Sequence, residues 1–349
     1  MVSEFDREAP SAGSDGTRAG GLPISGSSSS GSSSSGVSSS GVSSSGVSSN
    51  GVSSNGVSSN GVIHDIGYRT YSGPRLGLGA IAGSLFLTGL LNAYGLGRSG
   101  KAKMLPMTML ALALFPAAII VAIMVVSGFG GNFVDYSTYA NTTFVLIIIF
   151  VAGQAPVLFT RDLRSGSIVL YLARPLSPTL FALVRWASLV TAIFVFTLIP
   201  MLLLYVGALA AEADLIEQTA DLLQAIAGIL LLALVLATVS GLVSAFTLRR
   251  GLAVGAIIVA LLVSNGFVAS VKGIALGAGG NDAIGEWAGL FSPFTLVDGI
   301  SAGLLDGTEF YPLSPDSAAM TVVYVLFAAA LLGVGLWLLI RRYHDQGTR

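Results

Sequence analysis

Polar and apolar residues alternate along this chain in long blocks rather than residue by residue. Six apolar runs lie at about 104–126, 143–160, 180–209, 225–247, 251–271 and 318–340. Each holds roughly the 20 residues that a helix needs to cross a bilayer. Pro106, Pro116, Pro156 and Pro200 fall within or beside these runs. Neighbouring helices can re-satisfy the backbone groups that such prolines free. A shorter, glycine-rich apolar stretch, 76–97, precedes the six. Arg69 and Arg75 stand before it, and Arg98, Lys101 and Lys103 after it. Crossing the bilayer would put one of these basic groups on the outer face, which the positive-inside rule disfavours. The pattern therefore predicts a helix lying at the cytoplasmic interface, with a seventh span as the alternative.

The first 61 residues differ in kind. From Gly26 to Gly61 the chain repeats five-residue units, GSSSS, then GVSSS, then GVSSN. One valine per unit cannot bury a core, and Gly/Ser tracts behave as flexible coil. A disordered tail is expected over 1–61, either without a specific role or serving as a tether or phosphorylation target. The expected fold class is an all-α integral membrane protein with six transmembrane helices. The interfacial helix would precede the first span, and the transmembrane domain would cover 62–349.

Charge sorts by loop. The segments after the first, third and fifth runs carry Asp135; Glu212, Asp214, Glu217 and Asp221; and Asp282, Glu286, Asp298, Asp306, Glu309 and Asp316, with Lys272 their one basic residue. The other segments hold Arg98, Lys101, Lys103, Arg161, Arg164, Arg174, Arg185, Arg249, Arg250, Arg341, Arg342 and Arg349. This asymmetry predicts a multi-pass protein of the plasma membrane with both termini cytoplasmic. The polar, acidic N-terminus shows no cleavable signal, so the first span is expected to direct insertion. The half-apolar region 272–317 is too short to span. It fits two short re-entrant or interfacial helices on the outer face, broken at Ser292-Pro293, with Trp287 at headgroup level.

Composition agrees with this class. The 349 residues are 53% hydrophobic and 10% charged, with a mean hydropathy of +0.81, against about 25% charged in soluble domains. Cysteine is absent, and the two histidines, His64 and His344, belong to no metal-like spacing, so no disulfide, metal or His-based catalytic site is expected. No basic patch interleaved with aromatics suggests nucleic acid.

Candidate chemistry is sparse. Gly95 to Lys101 reads G-x-x-x-x-G-K, most of a phosphate-binding loop. Ala102 follows where a Mg²⁺-binding hydroxyl belongs, and no buried strand precedes it. It reads as a basic juxtamembrane turn, and no cofactor is expected in this chain. Ionisable residues inside spans usually mark pathways. None is evident here: Arg185 and Lys272 fall at the ends of their runs, where long side chains reach the interface. Thr191, Thr238, Ser240, Ser244, Ser264 and Asn265 are expected to bond between helices rather than line a pore. Gly251-x-x-x-Gly255 permits close helix packing.

The most distinctive loop is Arg161–Pro178, RDLRSGSIVLYLARPLSP. A polar turn at Ser165-Gly166 leads into the apolar Ile168–Leu172, and Arg174-Pro175 and Ser177-Pro178 stop any helix before the next span. An apolar face rimmed by Arg161, Arg164 and Arg174 is a docking surface. An ordinary charged loop is the plainer reading.

The order of these features resembles the permease subunits of type-2 ABC exporters, the drug and polysaccharide efflux group. The resemblance covers about 62–349. It implies a membrane-spanning efflux subunit that is not itself an enzyme. Its partners would be a cytoplasmic ATPase that holds ATP and Mg²⁺, a second permease copy, and the lipid bilayer. It further implies that Arg161, Asp162, Arg164, Gly166, Leu170, Leu172, Arg174, Pro175 and Ser177 form a coupling segment. Phe291, Ser292, Pro293 and Phe294 would mark the outer helical hairpin. The entry helix is more apolar and glycine-rich than in that group, and the Ser/Gly units are extra. An ion-gradient carrier or channel and a membrane scaffold are the alternative functions.

Overall fold

The computed structural model describes residues 73, 77–97, 100–128, 135–160, 177–247, 249–277, 282–305, 307 and 309–347. Among them 88% are helical and none is in a strand. The chain is an all-α protein of the multi-pass membrane class. The tail predicted over 1–61 lies outside the described residues.

The helices are α1 (Leu78–Ala93), α2 (Gly100–Ser127), α3 (Tyr136–Thr142), α4 (Phe144–Leu158), α5 (Pro178–Ala210), α6 (Leu215–Phe246), α7 (Arg250–Gly277), α8 (Asp282–Ala288), α9 (Pro293–Leu305) and α10 (Ala318–Gly347), with a 3₁₀ turn at Gly289–Phe291. Among the described residues, α2, α5, α6, α7 and α10 are long and apolar enough to cross a membrane unaided. Two further candidates are broken: α3 and α4 meet at 63°, and α8 with its 3₁₀ turn meets α9 at 117°. The helices outrun the predicted runs chiefly at their polar ends. α6 begins ten residues early because Asp214 caps it, accepting from the backbone N–H of Ile216 (2.8 Å) and Glu217 (3.3 Å). Such a cap satisfies donors that a helix start leaves orphaned. Ser177 does the same for α5, accepting from Leu180 N–H at 3.2 Å ahead of Pro178. Proline is favoured at a first helical position, where its missing N–H costs nothing.

α5 and α6 form the centre: 50% and 56% of their apolar stretches are buried, against 17% for α2 and 22% for α10. Aromatic rings fasten the centre to its neighbours. Phe150 of α4 stacks on Phe196 of α5 at 4.2 Å between centroids, and Phe159 and Phe181 flank Tyr343 of α10. Outward faces remain apolar, including Met104, Phe115, Phe267, Leu326 and Val334. On a membrane helix such a face meets lipid rather than water.

α1 is shorter than the stretch predicted for it, ending at Ala93. At 1.5 Å per residue it is about 24 Å long, less than the roughly 30 Å of a hydrocarbon core. Its buried face is Leu85, Gly89 and Ala93. Gly89 lets it close on α5: a Cβ there would stand 2.5 Å from Ser188 Oγ. Ser188 in turn donates to Phe86 O (3.1 Å), and Tyr94 Oη donates to Ala192 O (2.8 Å).

The residues expected to bond between helices do so in part. Trp186 Nε1 donates to Thr238 Oγ1 (3.0 Å), and Thr160 Oγ1 donates to Ser244 O (2.9 Å). Thr191 and Ser240 donate to the carbonyl one turn back. Gly251 and Gly255 face open space, so that motif packs against none of the described residues.

Candidate functional site

The chain reverses at Ser292. Pro293 opens α9, and every residue from Ser292 to Ser301 is buried. Thr295 Oγ1 donates back to Gly289 O (2.7 Å), and Ser292 Oγ donates across to Asn265 Oδ1 of α7 (3.2 Å). Two glycines admit Tyr324 of α10 into the bend. A Cβ at Gly289 would stand 2.0 Å from its Oη, and one at Gly299 would stand 2.6 Å from its Cε1. The Tyr324 hydroxyl donates to Glu286 O at 2.5 Å.

This bend carries a buried carboxylate. Asp298 is 4% exposed. Its Oδ1 accepts from Asn141 Nδ2 of α3 (2.8 Å), and its Oδ2 accepts from the backbone N–H of Phe310 (3.3 Å) and Tyr311 (3.1 Å). One side chain thus joins α3, α9 and the segment leading into α10. A carboxylate without such donors would be costly to bury. Lys272 of α7 is also buried, at 2% exposure, within the field of Asp298, Glu309 and Glu286. Burial pushes the Tyr311 phenol up to about 12, and Asp298 adds to the effect; Asn265 stands beside the hydroxyl without a well-formed hydrogen bond.

A cavity of about 30 Å³ lies between α3, α6 and α9, with Ser137, Asn141, Asp298 and Ser301 on its polar side. It is large enough to hold a water. Gly228 of α6 keeps it open, since a Cβ there would stand 3.0 Å from Ser301 Oγ. The arrangement can hold a carboxylate in the bundle, exchange a proton with one internal water, and pin the hairpin. Among the described residues, no group of three or more His, Asp or Glu side chains is placed to hold a metal.

No protein-family profile matches the sequence, and no curated protein matches it at a significant level. The site therefore stands on its own chemistry.

The predicted coupling residues Arg161, Asp162, Arg164, Gly166, Leu170, Leu172, Arg174 and Pro175 lie outside the described residues, and Ser177 caps α5. Of the predicted hairpin residues, Phe291 is 65% exposed, whereas Ser292, Pro293 and Phe294 are buried and hold the break between the 3₁₀ turn and α9. Arg185 and Lys272, expected to extend toward the interface, are both covered by the rest of the protein. Arg185 is 4% exposed and sits two turns into α5, with its guanidinium 5.3 Å above the Phe181 ring. Lys272 faces the bundle. Asp298 was counted among the outer acidic loop residues. Its signal in the sequence is one charge in the otherwise uncharged, mostly apolar Phe294–Ile300, a pattern better suited to a packed helix than to a loop.

Proposed function

We propose that this chain is the membrane-spanning permease subunit of an ATP-driven exporter of the type-2 ABC group, working with a separate cytoplasmic ATPase. The observation that carries the reading is the order of elements. A short apolar helix comes first, then α2, then the bent pair α3–α4. The Arg-rich segment 161–176 separates α4 from α5. The hairpin broken at Ser292 stands between α7 and α10. On this reading the spans number six: α2, α3–α4, α5, α6, α7 and α10. α1 lies in the inner interface, and α8–α9 re-enters from outside. Lys101, Lys103, Arg249, Arg250, Arg341 and Arg342 then share the cytoplasmic side, as the positive-inside rule requires. Two copies enclose the path in the plasma membrane. The ATPase pushes on Arg161–Pro175, with Leu170 and Leu172 as apolar contacts and Arg164 and Arg174 fixing register. Leu172→Asp should insert normally, lose co-purification with the ATPase and lose transport. Full retention of both would sink the reading.

A second reading, an ion-gradient carrier, is favoured by Asp298 and Lys272, because ionisable groups buried among spans commonly mark ion routes. It predicts transport that survives ATP depletion, collapses with the proton gradient and is lost in Asp298→Asn. The exporter reading predicts that ATP depletion alone abolishes transport.

A further inference from the structure

At the end of the bundle remote from Asp298, where α1 and α4 finish and α2 and α7 begin, a cavity of about 400 Å³ opens. Its polar lining is Asn92, Lys101, Gln154 and Arg250. We propose that it binds the phosphate-bearing headgroup of an anionic phospholipid.

Three observations converge. The first is charge. Lys101 is the second residue of α2 and Arg250 the first of α7, and neither helix has an acid in its first turn. Helix starts are positive ends that favour anions. Two helix starts and two cationic side chains therefore stack the same sign around one space, with no acidic side chain among the described residues of its lining. An anion relieves that repulsion. The second is Gln154. It is 5% exposed and lies within the apolar α4, yet its amide has no hydrogen-bond partner among the described residues and lines the cavity. Its N–H groups open onto the cavity and suit a phosphate oxygen. It lies four residues from the end of α4, about 6 Å along the axis, a depth suited to a headgroup rather than to an acyl chain. The third is the surroundings. Leu91, Met104 and Leu252, which neighbour the lining residues in sequence, are exposed, and acyl chains would cover them. Among the described residues, no aromatic ring lines the cavity to stack a nucleotide base.

The chain path explains the placement of Lys101. Gly95 and Gly97 have φ of +69° and +78°, a conformation that glycine adopts readily. They turn the chain out of α1 so that α2 can start at Gly100. The G-x-x-x-x-G-K spacing thus places a phosphate-seeking lysine at a helix start, without the Mg²⁺-binding hydroxyl of a nucleotide site. Basic pockets between spans on the cytoplasmic side are suited to anionic headgroups. The leaflet assignment rests on the orientation proposed above, whereas the binding chemistry does not depend on what drives the chain.

The test uses the purified full-length chain in neutral detergent, titrated with phosphatidylglycerol, phosphatidylcholine, inorganic phosphate or ATP, and read by thermal stability and by lipid retention in native mass spectrometry. Wild type should retain phosphatidylglycerol at least about tenfold more tightly than phosphatidylcholine, a difference that one charge-assisted contact can supply. Lys101→Ala/Arg250→Ala, two exposed positions, should erase that preference while leaving stability in phosphatidylcholine unchanged. Gln154→Leu should weaken it severalfold. Equal retention of the two lipids by wild type, or an undiminished preference in the double variant, would overturn the proposal. Binding of phosphate or ATP at this site without a phosphatidylglycerol preference would overturn the lipid assignment.

Discussion

Asn141 donates its side-chain amide to the buried carboxylate of Asp298 at 2.8 Å, joining residues 157 positions apart in the chain. The bond ties the bent start of the α3–α4 pair to α9. Because the same carboxylate also accepts from Phe310 and Tyr311, it acts as a three-way clasp on one end of the bundle.

The clasp should behave as a coupled unit. Asn141→Ala and Asp298→Asn should each destabilise the protein by about 1–3 kcal/mol, the usual cost of leaving a buried polar group unpaired. The double variant should lose less than the sum, with a coupling of about 0.5–3 kcal/mol. Denaturant unfolding in mild detergent measures all four species. Strict additivity would show that the two side chains act independently.

Gly289 and Tyr324 give a second test. Gly289→Ala should destabilise by about 1–3 kcal/mol through overpacking. Tyr324→Phe removes the hydroxyl that the new Cβ would strike, after which the nearest ring atom is Cζ at 3.1 Å. The double variant should therefore be more stable than Gly289→Ala alone, even though it gives up the bond to Glu286 O. Thermal unfolding of the three variants decides the order.

The absence of native cysteine makes sidedness directly measurable. Single substitutions Lys103→Cys and Arg341→Cys should react with an impermeant maleimide only after cells are opened. Glu212→Cys and Asp316→Cys should react in intact cells. For α1, Leu78→Cys and Gly97→Cys should share the cytoplasmic pattern. Labelling of that pair from opposite sides would make α1 a crossing helix and the span count seven.

A cap prediction isolates a local effect. Asp214→Ala should cost about 1 kcal/mol and loosen the start of α6 without altering the Asp298 clasp. Hydrogen exchange should rise at Ile216 and Glu217 and stay unchanged at Phe310 and Tyr311.

Much of the helical architecture was legible in the sequence because bilayer thickness dictates the length of an apolar run, and the runs had few competitors. The ends were less legible. Asp214 and Ser177 extend helices through polar residues that hydropathy treats as loop. Asp298 was missed because charge alone suggested solvent, whereas its three donors come from segments 12, 13 and 157 residues away. The inward placement of Lys272 and Arg185 was hidden for a related reason: proximity to the end of an apolar run does not say which way a helix faces. Gln154 was passed over because one amide in an apolar helix carries no pattern of its own.

The uneven burial of the helices has a mechanical consequence. α2 commits only 17% of its apolar stretch to the rest of the chain, whereas α6 commits 56%. Sliding α2 would disturb few packed side chains, whereas sliding α6 would break the bonds of Tyr136 to Gln218, Trp186 to Thr238 and Thr160 to the Ser244 carbonyl. Motion within a single copy is therefore least costly at the rim, with the central pair acting as a fixed keel.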